Sequence, residues 1–167
     1  MLRTICSRSH PGEMLSEKPQ YGINAAAVPL TGLLPVYIRI TDISDDGYFK
    51  PTEKVGVNST LSHLYQLSEG DIVLARTGAS VGKSYLYNQN DGLLIYAGFL
   101  IKMSPNKSKL DPKYLSQYLK TEKYWDWVTV NSMRSQGGSI LCLIFSQRIT
   151  LLDNCHPSPL SSACYAG

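Results

Sequence analysis

The clearest regularity in the chain is an alternation across residues 36–43, VYIRITDI, in which Val36, Ile38 and Ile40 are apolar while Tyr37, Arg39 and Thr41 can hydrogen-bond. A period of two predicts a strand with one oily face and one polar face. Asp45, Asp46 and Gly47 then supply a turn. A second apolar run, IVLAR at residues 72–76, enters a Gly-rich turn over residues 77–82. Further strands are predicted over residues 84–87 and 93–103, separated by the turn-forming run NQNDG at 88–92. Leu61, Leu64, Tyr65 and Leu67 have near-helical spacing, but the segment is short and EGD at 69–71 ends it.

The strongest helix signal begins at Asp111-Pro112. Asp caps free N–H groups, and Pro at the first helical position forfeits no hydrogen bond. Tyr114, Leu115, Tyr118 and Leu119, then Tyr124, Trp125 and Val128, form an apolar stripe near the helical period, with a bend expected around Thr121-Glu122. Such a stripe packs on strands, so the aromatics read as core rather than as a stacking platform for bases. Residues 1–20 read as an irregular lead-in, and residues 21–34, rich in Gly, Ala, Asn and Pro, read as loops. Several strands, one bent helix and no internal repeat predict an α+β domain, with a mixed, mostly antiparallel twisted sheet and a packed helix.

Composition narrows the function classes only a little. A chain of 167 residues suits one domain with a sizeable core. The net charge of +3 is compatible with a polyanionic partner without implying one. No apolar run approaches the ~20 residues that span a bilayer, and the N-terminus has no secretory pattern, so a cytoplasmic location is expected. Cys6, Cys142, Cys155 and Cys164 form no C-x-x-C pair, and His10, His63 and His156 add no ligand spacing. Neither a metal nor another cofactor is therefore expected.

The Gly-rich turn GASVGKS at residues 78–84 follows an apolar strand and invites a P-loop reading. That motif needs four residues between its first Gly and the Gly-Lys-Ser end; here there are three. YLYN at 85–88 also reads as a strand, whereas a P-loop opens a helix facing the phosphates. Glycines at 78 and 82 would still let the backbone approach a partner closely. Arg76, Thr77, Ser80, Lys83 and Ser84 surround them with donors suited to phosphate oxygens, and Arg can also hold guanine bidentately. A tight hairpin with solvated polar residues accounts for the same pattern.

Several segments taken in order resemble the target-recognition domain of type I restriction–modification specificity subunits. They are YGINAAA (21–27), VYIRITDIS (36–44), GDIVLARTGASVGKSYLY (70–87), AGFLIKM (97–103), DPKYLSQYLKT (111–121) and QGGS (136–139). The resemblance covers roughly residues 20–139 and implies an α+β fold that reads double-stranded DNA without catalysing anything. In that family, full-length members carry two such domains joined by long helices that dock methyltransferase and restriction or motor subunits. Any methyl donor would belong to those partners. By the same resemblance, the DNA-binding candidates are Arg76, Thr77, Ser80 and Lys83 in the turn, Arg39 and Thr41 on the first strand, and Tyr21 and Asn24 in the first segment. Arg39 could equally pair with Asp42 or Asp71, and Tyr21 could be packing.

Residues 140–167, ILCLIFSQRITLLDNCHPSPLSSACYAG, depart from the family pattern, which continues into a long spacer helix. The expectation is a truncated or frame-shifted subunit, either an isolated half or one that dimerises by another route. Two rival readings remain: a nucleotide-binding enzyme using the Gly-rich turn, and a protein-interaction module presenting the tyrosine-rich helix.

Overall fold

The fold was obtained as a computed structural model that describes residues 14–134. The readings made for residues 1–13, for QGGS at 136–139 and for the tail at 140–167 lie outside the described residues, as do all four cysteines.

Among the described residues, eight strands and two helices follow one another: β1 (Gln20–Tyr21), β2 (Ala27–Pro29), β3 (Val36–Ile38), β4 (Val55–Val57), β5 (Ile72–Ala75), β6 (Ser84–Leu86), β7 (Leu94–Tyr96), β8 (Leu100–Met103), α1 (Pro112–Tyr118) and α2 (Glu122–Arg134). The class is α+β, as expected, but the strands form two four-stranded sheets rather than one. The first has the order β1-β8-β5-β6 and is antiparallel throughout. The second has the order β2-β4-β3-β7, with β3 and β7 parallel.

Strand β5 explains the layering. IVLA is apolar at every position, the mark of a strand covered on both faces, and all four residues are buried. Ile72 and Leu74 point to the helices, where they meet Ile101, Met103, Leu115, Leu119, Tyr124 and Val128. Val73 and Ala75 point the other way, onto Ile38, Leu94, Tyr96 and Leu100. The first sheet is thus sandwiched between the helices and the second sheet. A smaller cluster of Ile23, Tyr37, Val57, Ile95 and Ala97 closes the far face of the second sheet.

The predicted helix start holds, but the one bent helix expected is two separate helices, α1 and α2. The Asp111 carboxylate accepts the Lys113 and Tyr114 N–H groups at 2.6 and 3.1 Å, and Pro112 opens α1. The chain breaks between Tyr118 and Glu122, where the Thr121 hydroxyl donates to the Tyr118 carbonyl at 2.8 Å. Its side chain thereby satisfies a carbonyl at the end of the first helix. The aromatic stripe is core: Tyr124 and Val128 are buried, and Tyr118, Trp125 and Trp127 pack against the same cluster.

Three strand readings need correction. The strand expected over 36–43 ends at Ile38, and residues 40–42 form a 3-10 turn. The Asp42 carboxylate draws in the Arg39 backbone N–H at 2.8 Å and its guanidinium at 2.8–2.9 Å, which pulls the chain out of the ladder. Tyr37, expected on a polar face, is only 4% exposed because both faces of this sheet are covered. Its hydroxyl reaches the Ile23 and Ala25 carbonyls. The single strand expected over 93–103 is two strands, β7 and β8, separated by Ala97, Gly98 and Phe99 and belonging to different sheets. Part of the stretch expected to be loop also pairs: β1 joins β8, and β2 joins β4.

The start of the described chain is tied to the first sheet electrostatically. Glu17 lies 2.7 Å from Lys102 Nζ and accepts the Ser104 hydroxyl at 2.7 Å. The hydrogen bond from Lys102, and secondly that from Ser104, hold the Glu17 carboxyl below its ordinary value of 4.5. Its contribution to stability is therefore complete above about pH 4.5 and is lost as pH falls through the lowered folded-state value. In urea unfolding, Glu17→Gln is expected to be less stable than the parent at pH 7. The gap should close toward pH 3; a gap of constant size would refute the assignment.

Candidate nucleic-acid interface

The Gly-rich segment folds as two successive tight turns. Gly78 has φ +70 and opens a 3-10 turn over Gly78–Ser80, closed by the Val81 N–H to the Gly78 carbonyl. Val81 (φ −51, ψ 130) and Gly82 (φ +91) then form the centre of a type II turn, with the Lys83 N–H reaching the Ser80 carbonyl at 3.0 Å. The second central position of that turn needs positive φ, hence glycine. Ala75 bonds to both Gly82 and Lys83, so the two residues oppose one and a β-bulge starts β6.

The two glycines serve different purposes. A Cβ on Gly78 would meet nothing within 4 Å, so this position faces open space. A Cβ on Gly82 would lie 3.0 Å from Val128 Cγ1 and 3.2 Å from Trp125 Cζ3. The Tyr124 hydroxyl also donates to the Gly82 carbonyl at 2.9 Å. The close approach expected at Gly82 is therefore to the protein's own helix. After the turn comes strand β6, so the helix that a P-loop would open at this point is a strand instead.

Arg76 follows the last residue of β5 and is half-buried. Its N–H donates to the Phe99 carbonyl at 3.1 Å, which carries the β5–β8 register one pair beyond Ala75 and Leu100. Tyr21, opposite Ile101 on β1, shares this face. The Arg76 guanidinium carbon stands 4.8 Å from the centre of the Tyr21 ring, a cation–π stack that orients the planar group. Arg76 Nε is buried and has no hydrogen-bond partner among the described residues. Leaving such a donor without an acceptor costs about 1–3 kcal/mol.

The remaining candidates are dispersed. Thr77 and Ser80 are half-buried in the turn itself. Asn24 is exposed and borders Gly98, on which a Cβ would stand 3.5 Å from the Asn24 Cα. Lys83 sits opposite Ala75 across the bulge and pairs with Asp45 at 2.6 Å. Arg39 is held by Asp42, the first of the two acidic partners that its sequence allowed, and this pairing raises its pKa further. Thr41 is exposed on the 3-10 turn beside it. The turn and the first strand thus do not form one continuous set of donors; Tyr21 and Arg76 are the pair that the fold brings together.

No protein-family model and no curated protein matches the chain. A solved chain from work on the "structural basis underlying complex assembly and conformational transition of the type I R-M system" is similar to 75% of this chain, with a TM-score of 0.45 and 14% identity. This chain covers 35% of that one.

The pattern of residues concealed one member of the surface. Phe99 sits within an apolar run that reads as buried strand, yet it is 55% exposed. The one hint was Gly98, since a lone glycine inside a strand pattern marks a break.

Each glycine makes a stability prediction. Gly78→Ala is expected to cost about 1–2 kcal/mol, the penalty for a Cβ in the left-handed region. Gly82→Ala should cost ~1–3 kcal/mol more, because its methyl group must also displace Val128 and Trp125. Equal urea midpoints for the two variants would show that the helix does not rest on Gly82.

Proposed function

We propose that this chain is a DNA-reading domain that recognises a specific double-stranded sequence, acting as the specificity subunit, or a half of it, in a type I restriction–modification complex. The observation that carries the reading is Arg76. It is a half-buried guanidinium set against the Tyr21 ring, immediately after the last residue of β5. A pre-oriented arginine of this kind suits the O6 and N7 atoms of guanine in the major groove. The ordered resemblance of six sequence segments to specificity-subunit recognition domains supports the same assignment. In this reading the chain performs no catalysis, needs no cofactor, and relies on methyltransferase and restriction or motor subunits for the chemistry. A second recognition domain, or a second copy, would read the other half of a split target.

Roles within the site follow from the geometry. Arg76 reads a base and Tyr21 holds it in place. Thr77, Ser80 and Asn24 contact the backbone alongside. Lys83 contributes less than its charge implies, because Asp45 already offsets it.

Selection from a random duplex pool should enrich a defined sequence, and binding to it should weaken steeply with salt. Arg76→Ala is expected to lower affinity for that sequence roughly 10- to 100-fold while leaving random duplex almost unaffected. Lys83→Ala should produce a smaller loss that is uniform across sequences. An unenriched pool, or affinity unchanged by both substitutions, would refute the reading.

A further inference from the structure

We infer that Phe99 is a further base-contacting residue, and that Tyr21, Arg76 and Phe99 together read a guanine whose neighbour on the same DNA strand is a thymine. The inference rests on the proposed DNA-reading function and specifies the substrate of that same site.

The register supports it. Arg76 and Phe99 lie just past the ends of β5 and β8, where the Arg76 N–H donates to the Phe99 carbonyl one pair beyond Ala75 and Leu100, so the two residues stand side by side. A hydrogen-bonded antiparallel pair has its Cα atoms about 5.5 Å apart, and stacked bases in one strand are about 3.4 Å apart. Two side chains leaving such a pair can therefore reach successive base steps without either strand moving. Arg76 is backed by the Tyr21 ring, and Phe99 is exposed.

The chemistry of the pair is complementary. A guanidinium satisfies the two acceptors that guanine presents in the major groove. An apolar ring satisfies the C5-methyl group of thymine, which presents no hydrogen-bonding atom. Phe99 follows Gly98, and its neighbour Leu100 is fully buried. The chain thus turns out of the core at the position facing Arg76. Exposing a phenylalanine forgoes the benefit of burying its ring, which contact with a thymine methyl partly restores.

The test uses the full chain and the duplex that it enriches from a random pool. Each thymine is replaced in turn by deoxyuridine, which lacks only the methyl group. At one thymine adjacent to the guanine whose preference Arg76→Ala abolishes, the replacement should weaken parent binding about fourfold, the worth of one buried methyl. Phe99→Ala should bind the thymine and uracil duplexes equally, because the contact is already gone. Phe99 is exposed, and a circular-dichroism melt matching the parent's checks that this variant is folded. The inference is overturned if no thymine beside that guanine responds, or if Phe99→Ala remains as sensitive to the replacement as the parent. An enriched sequence with neither effect leaves the DNA-reading function standing and removes Phe99 from it. A pool without enrichment removes both.

Discussion

The second helix rests on a residue with no side chain, and the position of the candidate site follows from that contact. Val128 and Trp125 occupy the space where a Gly82 side chain would be, and the Tyr124 hydroxyl holds the Gly82 carbonyl. Burial raises the pKa of that phenol, so it remains a neutral donor well above physiological pH. The type II turn and the bulge at the start of β6 are thereby held against the helical layer. Because the bulge is bonded to Ala75, the end of β5 is held with it, and Arg76 is the next residue.

The same arrangement separates rigidity from reactivity. The interior of the first sheet is apolar on both sides and leaves β5 little freedom. Polar groups inside the domain are satisfied locally: Asp42 by Arg39, Asp71 by the Ser68 N–H, and Tyr85 by Asp91. Arg76 Nε stands apart from this pattern among the described residues.

Much of the architecture was legible in the order of residues. The Asp111-Pro112 helix start, the bend before Glu122, the Asp45–Gly47 turn and the core role of the aromatics all depend on local rules, and these held. The rejection of a P-loop also rested on local grounds, namely a spacing one residue short and a following strand. Errors arose where an apolar or alternating run was given one environment along its whole length. Residues 36–43 alternate, yet Tyr37 is buried and the chain leaves the sheet at Arg39. Residues 93–103 are nearly all apolar, yet they serve two sheets and expose Phe99 between them.

The candidate residues divide along the same line. Their chemical types could be read directly: an arginine, a lysine and hydroxyls around two glycines, with a tyrosine and an asparagine some fifty residues earlier. Which of them meet could not. Tyr21 reaches Arg76 because β1 and β5 both pair with β8, a strand formed by residues 100–103. Lys83 is drawn to Asp45 by the folded chain, whereas Arg39 pairs with Asp42 three residues on, one of the two partners that its sequence allows. Sequence alone determined the turn chemistry, the helix caps and the apolar periods, because these act over a few residues. Tertiary structure decided which of the candidate residues meet, because strand pairing joins residues far apart in the chain.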